Sequence, residues 1–184
     1  MRTQSLTDSV LAAARAGDQG AVRDIYEWLA PAVLGYLRAK GVADPEAVTS
    51  DVFVAVLPQL ARVTGGPTGL RKLVFSIAHA RMVDDHRERS RRGVADSYDA
   101  EHDPRVVESA ESSAHEALAT QRVVAILDLL PADQREVLSL RIIADLSIDQ
   151  VAEIMGKSSG AVKQLQRRGL IVIRHALAER RVTL

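Results

Sequence analysis

The sequence predicts an all-α protein: two small helical domains joined by a flexible acidic linker. Three observations predict it. Aromatic residues are only 3% of the 184 residues, and no stretch alternates apolar and polar side chains for long. Apolar residues recur at three- and four-residue spacing between Gly, Pro and Asp-Pro punctuation, as amphipathic helices require. The charge is also segregated. The net charge is zero, from 24 basic and 24 acidic side chains, yet residues 70–92 carry seven basic and three acidic groups, 93–117 one and seven, and 157–181 seven and one. Two basic blocks flanking an acidic one are informative where the total is not.

Composition closes several function classes. There is no cysteine, so no disulfide framework, thiolate zinc site or thiol-based sensing is expected. No apolar run approaches the ~20 residues of a membrane span, and the N-terminus has an early acid and no long apolar core, unlike a secretory signal. A soluble cytoplasmic protein is expected. No phosphate-binding glycine loop, nucleophile elbow or zinc signature is present. No catalytic residue, metal or cofactor is expected, and the chain is not read as an enzyme.

The elements follow in order. Asp8–Ala16 is a short helix closed by Gly17-Asp18. Gln19–Lys40 is longer, with Val22, Ile25, Tyr26, Leu29, Val33, Leu34 and Leu37 as its inner stripe and a kink or break expected at Pro31. Asp44 as N-cap with Pro45 at the first helical position opens the next helix, carrying Ala47, Val48, Val52, Phe53, Val56 and Leu57 and ending near Pro58–Leu60. Arg62–Gly69 reads as a loop. A helix of about twenty residues starts at Leu70, with Leu73, Val74, Ile77, Ala78 and Val83 inward and Arg87, Arg89, Arg91 and Arg92 at its end. Residues 93–114 form the linker, rich in Asp and Glu among small residues and too poor in apolar groups to offset the entropy of ordering. It divides the chain into units 1–92 and 115–184. The second unit is read as four helices: His115–Leu130 (Leu118, Val123, Ile126, Leu127 and Leu130 inward), Ala132–Ala144 (Val137, Leu138, Leu140 and Ile142 or Ile143 inward), Ile148–Met155 behind a Ser147/Gln150 capping box, and a last helix capped by Ser158 after a Gly156 C-cap.

The last two helices have the form of a helix-turn-helix DNA reader: a short positioning helix, a tight Gly156-Lys157-Ser158 joint and a basic second helix. Ile148, Val151, Ala152 and Met155 are expected to face Val162, Leu165 and Gly169. Ser159, Ala161, Lys163, Gln164, Arg167 and Arg168 then point outward, and Lys163, Gln164 and Arg167 are types that contact base edges or phosphates. A plain helical hairpin with a solvated basic face has the same pattern. The other basic block, with Arg71, Lys72 and Arg81, follows a Gly/Pro loop and shares its helix with Phe75, His79 and His86. It suits extruded bases and phosphates; taken alone it reads rather as a solvated helix end whose cations favour the C-terminal dipole, and a second basic unit across an acidic tether weakens that plainer reading. Asp84-Asp85-His86 does not converge as a metal or nuclease site, because adjacent helix positions point about 100° apart; Asp84 is expected as a buried or capping partner.

Two stretches carry a family resemblance. One is L-x-x-L-V-x-x-I-A-x-x-x-x-x-D-x-x-R from Leu70. The other is LPxxQREVLxLRxxxxLSxxxVAxxMGxSxGAVK from Leu130 to Lys163. Together with the acidic helix that carries Asp44, Glu46 and Asp51 and with the acidic linker, they resemble the extracytoplasmic-function (ECF, group IV) sigma factors of bacterial RNA polymerase, in the minimal two-domain form and an actinobacterial style of composition. The resemblance covers nearly the whole chain and implies a non-catalytic initiation subunit that directs core polymerase to specific promoters. Residues 1–92 would dock on the β′ clamp helices through Asp44, Asp51, Val52, Ala55 and Gln59. They would read and melt the minus-ten element through Arg62, Thr64, Arg71, Lys72, Ser76, His79 and Arg81. Residues 115–184 would read the minus-thirty-five element through Lys157, Ser159, Ala161, Lys163, Gln164, Arg167 and Arg168, and bind the β flap tip. The linker would thread toward the RNA exit channel, and an anti-sigma protein is a possible further partner.

The sequence departs from that pattern in places. Leu73 stands where the family often has tryptophan, and Ala80 where it has asparagine, which removes a base-bonding side chain. Ser50-Asp51 replaces a Gln-Glu pair, and Ala161-Val162-Lys163-Gln164-Leu165 replaces Thr-Val-Lys-Ser-Arg, implying a different minus-thirty-five preference. Two rival readings remain at this level: a stand-alone helix-turn-helix regulator, which would bind a pseudo-palindromic site as a dimer without polymerase, and a sigma mimic that binds a regulator without supporting transcription.

Overall fold

A computed structural model describes residues 6–91 and 125–182; the linker and most of the helix expected over 115–130 lie outside the described residues. The described chain is helical throughout: α1 (Asp8–Arg15), α2 (Gln19–Ala39), α3 (Pro45–Val56), a 3-10 turn (Leu57–Arg62), α4 (Gly66–Arg91), α5 (Ala132–Ile142), α6 (Ile148–Met155) and α7 (Ser159–Val182). Residues 125–127 are helical where the description resumes.

Local chemistry sets most boundaries. Thr7, Asp18 and Asp44 cap α1, α2 and α3 by accepting from the backbone N–H three residues on, which satisfies donors that a helix start leaves open. Proline does not break α2: the helix runs unbroken through Pro31. Pro31 cannot donate to the carbonyl one turn back, but Ile25, Leu29, Val33 and Leu37 on either side are fully buried, and that packing holds the helix in register. The stripe also differs from expectation. Tyr26 is 44% exposed, whereas Tyr36, not assigned inward from the sequence, is fully buried.

The expected loop over 62–69 is shorter than its composition suggests. Only Val63, Thr64 and Gly65 separate the 3-10 turn from α4. Gly69 N–H donates to Gly65 O at 3.1 Å and closes the first turn, and Pro67 fits there because a first-turn residue needs no N–H. Leu70, Val74, Phe75, Ala78 and Met82 form the buried face of α4; Phe75 and Met82 had not been assigned to it. Asp84, expected as a buried or capping partner, is exposed, with Arg87 3.9 Å away, while the half-buried acid is Asp85, paired with Arg89 at 2.9 Å. In α5, Val137, Leu138 and Leu140 are buried and Ile142 is 61% exposed, which assigns the inward position to Ile143.

Helices α1–α4 pack around one another, and α5 and α6 pack against α7. The two groups also meet directly: α2 touches α5 and α4 touches α6. One apolar cluster runs through both, joining Ile25, Leu37 and Phe75 to Val137, Leu140, Ala144 and Val162. Gly35 marks the crossing, where a Cβ would stand 3.9 Å from the Ile143 side chain.

Candidate nucleic-acid interface

The helix-turn-helix is built by three local devices. Ser147 Oγ accepts from Gln150 N–H at 3.2 Å while Gln150 Oε1 accepts from Ser147 N–H at 2.8 Å, a complete capping box at the start of α6. Gly156 adopts φ 61°, ψ 33° and ends α6 in the left-handed region, which costs glycine little. Lys157 N–H returns to Ala152 O at 2.9 Å, and Ser158 Oγ accepts from Ala161 N–H at 3.2 Å to start α7. Val151 and Val162 are fully buried in the angle between the helices, with Ile148, Met155 and Leu165 packed around them. Gly169 behaves differently from expectation. It faces Leu138 of α5, whose Cδ1 would lie 2.8 Å from an added Cβ, so this glycine sets the approach of α5 and α7.

The joint leaves one face of α7 open: Ala161, Lys163, Gln164, Arg167 and Arg168 are all exposed. Two expected members of the set are engaged at the rim. Lys157 Nζ lies 3.0 Å from Asp133 Oδ2, and Ser159 Oγ donates to Asp149 Oδ1 at 2.6 Å. Beside the reading face, Ile148, Leu170 and Ile171 with Lys163, Arg167 and Arg174 line a shallow apolar groove with a basic rim. Sequence reading did not assign Leu170 and Ile171; the signal was their position outside the 162/165/169 stripe.

The residues expected to read the minus-ten element divide into two groups. Arg62, Thr64 and Arg81 are exposed, and Ser76 is half-buried. Arg71, Lys72 and His79 are engaged by the other helical group. The Arg71 guanidinium lies over the Trp28 ring, 4.2 Å from its centroid, and donates to Ala144 O at 3.1 Å. Lys72 pairs with Glu153 of α6. His79 Nδ1 sits 2.9 Å from Glu136 Oε1.

Glu136 is the centre of a buried polar cluster. Tyr36 Oη donates to its Oε1 at 2.6 Å, and Lys40 Nζ lies 2.5 Å from its Oε2, with the lysine and glutamate side chains 8% and 6% exposed. Burial pushes the Glu136 carboxyl up, but His79, Lys40 and Tyr36 together outweigh it and bring it down from 4.5 to about 2. Burial and the neighbouring carboxylate push Tyr36 well above its ordinary value, so it remains a donor. Sequence reading did not identify this cluster.

The expected docking residues lie at the α3 end. Asp44 is used as the cap, its Oδ1 accepting from Ala47 N–H at 2.9 Å. Asp51 is exposed and Ala55 half-buried, and Gln59 donates back to Ala55 O at 2.8 Å. Val52 cannot touch a partner: it is fully buried, and the outward valine is Val54, at 70% exposure. Exposed Leu57 and Tyr26 add to that apolar surface, Tyr26 standing 4.7 Å from the Phe53 ring.

Comparisons with known proteins agree with this geometry. Residues 126–175 match the Sigma-70, region 4 family model. The chain is 33% identical over 172 residues to the ECF RNA polymerase sigma factor SigD of Mycobacterium tuberculosis, covering 89% of this chain and 80% of that protein. It is 29% identical over 169 residues to the ECF RNA polymerase sigma factor BldN of Streptomyces coelicolor, covering 90% of this chain and 64% of BldN. CnrH, solved in complex with the cytosolic domain of CnrY, has the same fold, with a TM-score of 0.65 at 22% identity over 95% of this chain and 99% of that one. With a SigD relative matched over most of both chains, the helix-turn-helix inside a matched region 4 and a second basic helix ahead of it, the chain belongs to the ECF sigma factors of RNA polymerase.

Proposed function

We propose that the chain divides its work as residues 1–92 for core docking and the minus-ten element, 93–114 as linker, and 115–184 for the minus-thirty-five element. The observation that carries the reading is the open polar face of α7 set by the Gly156 joint. A recognition helix so presented enters a major groove with its N-terminal half. Lys163, Gln164, Arg167 and Arg168 meet base edges and phosphates there, with Ala161 against a base and Lys157 and Ser159 at the backbone. On α4 and the turn before it, Arg62, Thr64, Arg71, Lys72, Ser76, His79 and Arg81 hold the separated minus-ten strand. Asp51, Val54 and Leu57 dock on the polymerase clamp helices. The groove at Leu170 and Ile171 is a second protein contact of α7, suited to the flap tip. Promoter melting then draws on captured bases rather than on chemistry of the chain itself, and the site of action is the cytoplasm. CnrH is held by CnrY, and by analogy an anti-sigma protein restrains this chain.

The test is run-off transcription with core polymerase on duplex promoter DNA. The expected result is a specific transcript that depends on this chain and fades with Arg167→Ala. No polymerase binding and no specific transcript would overturn the reading. A dimer on a palindromic duplex in the absence of polymerase would favour the stand-alone regulator instead.

A further inference from the structure

We infer that α1 is a splint for the loop ahead of α4 and that Arg15 is its positioning residue: the guanidinium holds residues 63–65 in the shape that presents Thr64 to an unpaired base. The inference rests on the minus-ten reading for what the loop meets, while the bracing itself stands on contacts among α1, the 3-10 turn and α4. Helix α1 is only eight residues long, too short to be stable by itself, so its place is set by what it packs on. It touches the 3-10 turn and α4 as well as α2. Asp8, Leu11 and Arg15, at intervals of three and four, fall on one stripe. Leu11 is buried in the core, and the two charged ends of the stripe straddle the loop.

At one end, Arg15 Nε donates to Leu60 O at 3.0 Å and its Nη2 donates to Val63 O at 2.5 Å. The last carbonyls of a helical turn lack partners in the turn itself, and a forked guanidinium takes two acceptors at once. At the other end, a Cβ on Gly66 would stand 2.5 Å from Asp8 Oδ1, so glycine is what lets α1 lie this close. Between these points the backbone is tied. Gly69 N–H donates to Gly65 O at 3.1 Å, and Thr64 O fills the space that a Cβ on Gly69 would take. Gly65 and Gly66 take φ 77° and 61°, which glycine adopts freely. The side chains of Arg62 and Thr64 are nevertheless exposed. The backbone is fixed and the side chains are free, so a base that arrives there meets a loop whose ordering entropy is already spent. Arg15 is itself exposed, and the carbonyls it releases can turn to water. Its loss should therefore loosen the loop at little cost to the fold.

Two measurements test this. In the free full chain, amide order parameters of Thr64 and Gly65 should be those of rigid backbone, about 0.85, and should fall below about 0.6 in Arg15→Ala, with the urea midpoint shifted little. Arg15→Lys keeps the charge and one donor group and should retain part of the order. In holoenzyme with core polymerase, run-off transcription is measured on a duplex promoter library randomised across the minus-ten element. Arg15→Ala should lower the preference for the favoured base at one minus-ten position about tenfold. Arg15→Lys should restore part of it, and the minus-thirty-five preference should not move. Arg23→Ala, which removes a cation from an exposed site on α2, should leave both preferences as they are. Low order parameters in the unaltered chain, or values unmoved by Arg15→Ala, overturn the splint. So does an equal loss of preference in Arg23→Ala. A uniform loss across the library with a weaker salt dependence also overturns it, and would make Arg15 a phosphate contact. Failure of the minus-ten reading would show separately, as no base preference in that element by the unaltered holoenzyme, whatever the order parameters do.

Discussion

The two basic helices, α4 and α7, solve the same presentation problem in opposite ways. Helix α7 starts from an open joint: nothing lies within 4 Å of a Cβ placed on Gly156, and Ala161, Lys163, Gln164, Arg167 and Arg168 face solvent. Helix α4 starts from a jammed one: a Cβ on Gly69 would stand 1.7 Å from Thr64 O, and Arg71 and Lys72 in its second turn contact Ala144 O and Glu153. A helix that reads duplex by rigid insertion gains from being preformed and exposed. On α4, Arg71 and Lys72 are engaged instead by Ala144 O and Glu153.

Glycine-to-alanine changes should separate the two starts most sharply. Gly69→Ala forces backbone against backbone at Thr64 and must unwind the first turn of α4, so a loss of about 4 kcal/mol or more is expected, read as a collapse of the urea midpoint. Gly156→Ala meets only the left-handed strain of its positive φ, so about 1 kcal/mol is expected. Equal losses at the two positions would break the contrast.

The buried Glu136 cluster should give the next largest effect. Glu136→Ala leaves Lys40 buried without its partner, and removal of one member of a buried pair costs about 3 kcal/mol. Its pH dependence has a definite sign. The folded carboxyl sits at about 2, below its ordinary 4.5, so its stabilisation is fully present above 4.5 and is lost as pH falls from there through about 2. The groups facing it are Tyr36, Lys40 and His79, with His86, Asp133, Arg135 and Lys157 lining the adjoining cleft. Urea midpoints of the unaltered chain and Glu136→Gln should therefore differ at pH 7 and converge toward pH 2. A gap that holds constant across that window would mean that the carboxylate charge does not stabilise the fold.

What was legible in the sequence follows the range of the forces involved. The helix-turn-helix is written in contacts three or four residues long: the Ser147/Gln150 box, Gly156 and Ser158 each satisfy neighbours, so their spacing announces them. The closure of α5 and α6 on α4 is written in contacts such as Tyr36–Glu136 and His79–Glu136, 100 and 57 residues apart. No periodicity marks such a pair in advance. Glu136 sits on the family pattern, but its partners are spread over two other helices. Val52 shows a smaller failure of the same kind. On a helix with apolar residues at 52, 53, 54 and 56, the pattern does not say which valine faces out; in the fold Val52 is fully buried, Phe53 packs on Tyr26 and Val54 is left outward. Gly69 reads as loop because the five residues before it are Thr, Gly, Gly, Pro and Thr, yet its N–H closes the first turn of α4.

The smallest thermodynamic effect should carry the largest informational one. Gln164 is exposed on α7 and makes no contact that the fold needs, so Gln164→Ala should shift the urea midpoint by no more than about 0.5 kcal/mol. A glutamine amide can pair bidentately with adenine in the major groove, an interaction that discriminates by about 1–3 kcal/mol. The same variant should therefore relax promoter choice at one base pair of the minus-thirty-five element, read from transcription with core polymerase on a library randomised there. Arg168→Ala, if it meets phosphate, should instead weaken all library members alike and reduce the salt dependence of binding. If both variants changed affinity uniformly, α7 would be positioning the protein without reading sequence.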